Sequence, residues 1–205
     1  MKTLNVELKE FYIENTNFFG TKQEEITEFF KDYSKINIAD NYIIVEEYLF
    51  EPSIALSKQI IKSSEIENID IVNFPLTLQI KNELIFISVE LKSELIEFAT
   101  NNNIPIVKRT NIWGKILEPF LDMKFDKKNL KPINILLAKW GLSYQLVTKI
   151  RKHVAMQILK YNFDTRLRLD CFFVADVLSA MRPKLNKKEF RLFYNKAMKI
   201  ALVEG

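Results

Sequence analysis

Three side chains in the first half of the sequence are of the types that hydrolyse phosphate esters: Asp70, Glu90 and Lys92. Glu90 and Lys92 follow the apolar run IFISV, so we expect both at the end of a β-strand and, two residues apart, on one face of it. Asp70 is expected at the start of the preceding strand. Two carboxylates can hold Mg²⁺, which neutralises phosphate charge, and a lysine can assist the attacking water.

An aspartate on one hairpin strand and Glu-x-Lys on the next, followed by a helix and a further strand, resembles the core of the PD-(D/E)xK nucleases over residues 70–108. The resemblance implies a Mg²⁺-dependent nuclease in which Asp70, Glu90 and Lys92 are the metal-binding and catalytic residues. The alternative interpretation makes Glu90 an acid in the first turn of a helix and Lys92 an ordinary surface residue.

A second set of candidate residues lies around Gly141, in LLAKWGLSYQLVTKIRKHV, residues 136–154. The spacing resembles that of helix-turn-helix DNA-binding units, with Leu137, Val147 and Ile150 where the two helices pack together. The resemblance implies that the outward-facing residues of the second helix contact base edges and phosphates. These residues are Ser143, Tyr144, Gln145, Thr148, Lys149 and Lys152.

The same stretch also fits a plain helical hairpin. In that interpretation Gly141 follows the end of one helix in a left-handed conformation, and Ser143 is the N-cap of the next helix. Since any helical hairpin can contain these two caps, the sequence leaves both interpretations open.

Charge is divided unevenly along the chain. Residues 1–123 contain 12 Lys or Arg and 20 Asp or Glu, whereas residues 124–205 contain 18 and 6. A basic half favours a polyanionic partner, because neutralising phosphates releases counterions. The competing interpretation is that the two halves face each other, within the chain or across a homo-oligomer.

Two scarcities exclude whole classes of site. The four glycines are far apart, so the chain has no glycine-rich loop that could hold a nucleotide phosphate. One cysteine and one histidine cannot supply the roughly four ligands of a Cys/His zinc site. We therefore expect no metal and no cofactor, apart from Mg²⁺ under the nuclease alternative.

The order of helical and strand-like patterns predicts an α+β fold: a mixed α/β N-terminal part with a small sheet, followed by an all-α, basic C-terminal helical part. We expect an acidic domain over residues 1–110, a connecting helix and junction over 111–131, and a basic helical domain over 132–205. Trp113 should be a packing residue of the connecting helix. Pro119 should end or kink this helix.

Local signals predict several element boundaries. Capping-box pairs predict helix starts at Thr21 with Glu24 and at Asn186 with Glu189. Residues 51–64 are predicted to form a helix with a proline near its first turn. A β-hairpin is predicted around residues 81–82.

These observations favour a non-enzymatic binding protein that uses its basic helical part to engage nucleic acid or an acidic protein partner. The alternatives are the Mg²⁺-dependent nuclease and an immunity-type or inhibitor protein that binds a basic partner through the acidic N-terminal part. No apolar run reaches the roughly 20 residues of a membrane helix, and the start of the sequence does not resemble a secretory signal. We therefore expect a cytoplasmic protein with no membrane partner.

Overall fold

The computed structural model describes residues 34–121, 130–164 and 171–205. The helix predicted to start at Thr21 lies outside these residues. The described strands are β1 (Ser34–Ile38), β2 (Tyr42–Tyr48), β3 (Ile60–Lys62), β4 (Asn68–Asp70), β5 (Leu76–Ile80), β6 (Glu83–Ile87) and β7 (Ile106–Val107). The described helices are α1 (Ile54–Lys58), α2 (Lys92–Asn101), α3 (Ile112–Leu117), α4 (Leu130–Lys139), α5 (Tyr144–Asp164), α6 (Val174–Met181) and α7 (Lys187–Ala201). Two sheets followed by helices confirm the predicted α+β class.

The first sheet contains β1, β2 and β3 in that order, all antiparallel. Its inner face buries alternate residues of β2, and Ile43 pairs with Ile61 of β3. The single helix predicted for residues 51–64 is wrong, because the α-helix ends at Lys58, the chain turns at Gln59 (φ 60°) into β3, and a separate 3₁₀ turn starts at Ser63. Pairing with β2 and burial of Ile61 outweigh the local helical preference.

The second sheet has the order β6-β5-β4-β7, with β4 and β7 parallel and the other pairs antiparallel. The hairpin predicted around residues 81–82 is confirmed, since β5 and β6 pair on either side of that turn. All five residues of β6 are buried. On this strand the Phe86 N–H donates a 2.9 Å hydrogen bond to the Tyr48 hydroxyl of the first sheet.

Aromatic rings join the sheets to the last described helix. The Phe50 ring lies 5.6 Å from Phe86, 6.3 Å from Phe190 and 6.0 Å from Tyr194, centroid to centroid. The Tyr194 hydroxyl also donates a 2.7 Å hydrogen bond to the buried Glu83 carboxylate. Helix α7 is therefore fixed to β6 by both packing and a buried polar contact. The domain boundaries expected near residues 110 and 132 stay a prediction.

Helix α3 connects the sheets to the helical part. Its Trp113 is 2% exposed, and the indole N–H donates a 3.0 Å hydrogen bond to the Ala197 carbonyl of α7. The regular helix ends at Leu117, and Pro119 lies in the 3₁₀ turn that follows, as expected for a residue that cannot donate an intrahelical hydrogen bond. Within the described residues, no helix is both long and apolar enough to cross a bilayer.

Candidate nucleic-acid interface

The turn between α4 and α5 has both caps that the sequence predicts. Gly141 has φ +78°, and an added Cβ there would meet no atom within 4 Å. The Ser143 hydroxyl accepts a 3.3 Å hydrogen bond from the Leu146 N–H in the first turn of α5. Leu137 and Leu142 are buried on either side of the glycine. The two helices are therefore held at a fixed glycine turn, with a packed inner side.

The residues predicted to contact nucleic acid all lie on or just before α5, on its outer side. Five of them are exposed and Thr148 is half-buried, while Val147 between them is buried. Tyr144 has 56% of its surface exposed. Their exposure meets the geometric requirement for the interface, and their contact with nucleic acid stays a prediction.

Arg151 is the basic residue of α5 that points inward. Its Nε donates a 2.7 Å hydrogen bond to the Ile116 carbonyl, and Nη1 donates a 3.0 Å hydrogen bond to the Asn134 side chain. Burial lowers the pKa of the guanidinium below its usual value, although the charge of Glu118 acts in the other direction. Arg151 thus fastens α5 to α3 and α4 and does not contribute to the exposed basic surface.

Helix α7 carries a basic face that sequence reasoning did not include among the site residues. Its exposed basic residues are Lys187, Lys188, Arg191, Lys196 and Lys199. The opposite face buries Phe190, Tyr194 and Ala197. The missed signal was the helical spacing of the basic residues opposite an apolar stripe. Leu192, 66% exposed, lies within this face.

The surfaces of α5 and α7 meet at His153. The imidazole centroid lies 5.8 Å from the Phe193 ring of α7, and the Lys184 ammonium donates a 3.5 Å hydrogen bond to the His153 carbonyl. Partial burial lowers the pKa of His153, and the positive charges of Lys184 and Lys196 lower it further. We refer to His153, Lys184, Phe193 and Lys196 as the His153 cluster.

Few ion pairs join the basic helices to the acidic part. Among the described residues, the only two that do so both use Glu51, which lies 3.6 Å from Arg182 and 3.3 Å from Lys187. Three further ion pairs, Lys35–Glu46, Lys58–Glu65 and Lys115–Glu118, lie within the first 118 residues. Most of the basic charge described for α5 and α7 therefore faces solvent.

Asp70, the first predicted catalytic residue, is the last residue of β4 and not the first residue of a strand. Its carboxylate is 1% exposed and accepts hydrogen bonds from the backbone N–H groups of Val72, Asn73 and Arg109 at 2.8–3.1 Å. The Asn73 amide donates a fourth, at 2.5 Å. These bonds use the oxygens that a metal ion would require, and they hold the loop after β4 against the segment after β7.

Glu90 and Lys92 are not on a strand, so the predicted strand geometry is wrong. β6 ends at Ile87, where Ser88 accepts a 3.4 Å hydrogen bond from the Glu90 N–H and starts a 3₁₀ turn. Lys92 is the first residue of α2, and both side chains are exposed. β5 separates β4 from β6, so Asp70 also does not lie on the strand next to β6. The catalytic role of the three residues stays a prediction, but the structure does not form the hairpin arrangement on which that prediction depended.

A small pocket of about 40 Å³ opens beside Asp70. The Thr77 hydroxyl and the Arg109 Nε are buried, belong to residues that line this pocket, and have no hydrogen-bond partner. The volume suits one or two water molecules and is too small for a nucleotide. In the part of the chain that the structure describes, no group of three or more acidic, histidine or cysteine side chains is arranged to hold a metal ion.

No known protein family, curated protein or solved structure matches this chain. Functional inference therefore depends on the geometry and charge of its own surface.

Proposed function

We propose that the protein is a non-enzymatic nucleic-acid-binding protein that contacts the phosphate backbone with the basic surface of α5 and α7. The observation that carries this proposal is that one set of basic residues is exposed and is in none of the ion pairs found among the described residues. This set is Lys149 and Lys152 of α5 with Lys188, Arg191, Lys196 and Lys199 of α7. Basic side chains that neutralise phosphates release counterions, and this release drives binding whatever the base sequence.

The polar residues around the basic ones favour nucleic acid over an acidic protein. Gln145 and Thr148 are hydrogen-bonding side chains that lie within one helical turn of Lys149 and Lys152 on the outer side of α5. Side chains of these types contact base edges and phosphates in helix-turn-helix units. The N-terminal turns of α5, where such units contact bases, carry these exposed polar residues.

Fluorescence anisotropy with a labelled duplex of random sequence tests the proposal. We expect binding at about 50 mM salt that weakens steeply by about 200 mM, because each phosphate contact contributes close to one unit to the salt slope. Absence of binding to duplex and single-stranded nucleic acid at about 50 mM salt would remove the proposal. A stable complex with an acidic protein would then favour the other partner class.

A charge variant of α7 gives the matched test. Replacing Lys188, Arg191 and Lys199 with Gln should lower the salt slope by about 3 and weaken binding at least tenfold at low salt. The control replaces three exposed lysines of the sheet part, Lys62, Lys81 and Lys108, with Gln. Both variants lose the same net charge, so equal losses of affinity would show that no particular surface binds.

A separate variant addresses base reading by α5. If this helix contacts base edges, Gln145→Ala should alter which duplexes are enriched from a random pool, while affinity for random duplex falls less than threefold. If Gln145→Ala and the wild-type protein enrich the same duplexes, α5 contacts only the nucleic-acid backbone.

A further inference from the structure

We propose that His153, Lys184 and Lys196 form a subsite for one phosphate of the nucleic-acid backbone, and that a proton is taken up by His153 when this phosphate binds. The subsite rests on the proposed function and specifies where, and with what pH dependence, the ligand is held.

Three different elements supply the subsite. His153 is exposed on α5, Lys184 lies in the connection between α6 and α7, and Lys196 is exposed on α7. The ring contact of His153 with Phe193 holds the imidazole against α7, and the hydrogen bond from Lys184 to the His153 carbonyl holds that ammonium over α5. The three groups are thus brought together by tertiary structure, although Lys196 is 43 residues away from His153 in sequence.

The charges around the imidazole are all of one sign among the described groups that act on it. Lys184 and Lys196 face it from outside α5, and on its own helix Lys149 and Lys152 lie within one turn. Partial burial, followed by the charges of Lys184 and Lys196, lowers the pKa of His153 in the free protein and so favours the neutral ring. A phosphate placed between these groups reverses the field and raises the pKa, because a nearby opposite charge favours the protonated form.

The sign of the pH dependence follows from this change. Because the pKa is higher in the complex than in the free protein, the complex binds more protons, and affinity increases as pH falls through the interval between the two values. A rise of one unit in the pKa corresponds to a tenfold change in affinity when the interval is fully crossed, so we expect binding to tighten by up to about tenfold as pH falls from 8.

A phosphate is the group that this geometry suits best. It offers several acceptor oxygens around one centre, so an imidazolium N–H and two ammonium groups can donate to it together. Two sources of phosphate are possible in chemical terms, the nucleic-acid backbone and free inorganic phosphate, and the experiment must separate them.

Proton NMR tests the subsite directly, because the chain contains a single histidine. The imidazole pKa is measured in the full-length free protein, with saturating random duplex, and with about 10 mM inorganic phosphate in place of duplex. We expect a rise of about one unit with duplex and a smaller rise with phosphate. An equal rise with phosphate alone would overturn the assignment to the nucleic-acid backbone.

Variants supply the controls. His153→Gln should abolish the tightening of duplex binding between pH 8 and pH 5.5. In Lys184→Gln/Lys196→Gln, the pKa of free His153 should rise, because both repulsive charges are gone. This measurement needs no ligand, so an unchanged pKa would overturn the arrangement of the subsite itself.

The outcomes separate the two proposals. Duplex binding that is equally strong at pH 5.5 and pH 8, with an unmoved imidazole pKa, would overturn the subsite and leave the binding function intact. Absence of duplex binding at both pH values would overturn both.

Discussion

The polar groups at the end of the second sheet and those on the C-terminal helices differ in what satisfies them. Asp70 is buried, and its carboxylate accepts hydrogen bonds from four donors in its own loop and in the segment after β7. The basic residues on the outer side of α7 are exposed, and Lys187 alone among them has an ion-pair partner in the described residues. One set of charged groups therefore holds the fold together, and the other is available to a ligand.

This difference teaches that residue type alone is a poor guide to chemistry. An aspartate and a Glu-x-Lys pair match the residues of a nuclease. In this protein, however, the carboxylate of the aspartate accepts hydrogen bonds from the protein itself, and the side chains of the pair are exposed to solvent. Lysines and arginines at helical spacing are common on protein surfaces, yet those of α7 are exposed, and among the described residues Lys187 alone of them is in an ion pair. Four changes test the contrast, from the largest expected effect to the smallest.

Asp70→Ala should lower the free energy of unfolding by about 4 kcal/mol, because three backbone N–H groups and the Asn73 amide lose their acceptor. Urea denaturation measures this change. Glu90→Ala, at an exposed site, is the control and should change stability by less than about 0.5 kcal/mol. A stable Asp70→Ala protein that lost a Mg²⁺-dependent nuclease activity of the wild type would instead assign Asp70 to catalysis.

A second change, at Asp176, tests whether the helical part also contains an ionisable group that is held by hydrogen bonds inside the fold. Its carboxylate accepts hydrogen bonds from the Phe173 N–H at 2.7 Å and the Tyr161 hydroxyl at 3.0 Å, and burial raises its pKa to about 6. Because the folded protein binds this proton more tightly, its stabilising contribution is present below about pH 4 and is lost as pH rises through 6. The loss should reach up to about 3 kcal/mol.

The difference in unfolding free energy between wild type and Asp176→Asn isolates this group from the other titrating residues. Because the asparagine does not ionise, the variant should gain stability relative to wild type between pH 4.5 and pH 7.5. A difference that is the same at both pH values would mean that Asp176 is ionised without cost.

Gly141→Ala should lower the free energy of unfolding by about 1 kcal/mol. The cost is conformational, since φ is +78° and an added Cβ meets no atom within 4 Å. Gly141→Asn should cost less, because asparagine tolerates the left-handed conformation. Thermal or urea unfolding measures both, and a larger loss for Asn than for Ala would contradict this account of the turn.

Glu51→Gln should have the smallest effect. It removes the acid that pairs with Arg182 and Lys187, and loss of such surface pairs changes stability by less than about 1 kcal/mol. Affinity for duplex should rise about twofold, because two cations are released for phosphate. Glu94→Gln makes the same charge change at an exposed position of α2. An equal rise in that control would show an effect of net charge alone.

Local signals predicted some elements well. The start of α7 is an example, since Asn186 and Glu189 form the expected reciprocal capping bonds at 3.0 and 3.2 Å. The turn at Gly141 is another. In both cases the deciding contacts join residues at most five positions apart, so the sequence contains the whole signal.

Elements that depend on distant partners were not predictable in this way. β3 is a strand because Ile61 pairs with Ile43 of β2, and this pairing overrides the helical pattern of its own segment. The position of Glu90 was wrong because the Ser88 cap ends β6 early. The His153 cluster exists only where α5 and α7 meet, and no local pattern specifies that meeting.

The attachment of α7 also has a consequence for the order of synthesis. Helix α7 provides Phe190 and Tyr194 to the rings around Phe50, and it provides the acceptor for the Trp113 indole. Residues 187–201 are translated after Phe50, Phe86 and Trp113, so a nascent chain that ends before them leaves these aromatic surfaces uncovered in water. Folding of the sheets on the ribosome is therefore expected to finish only when α7 has emerged.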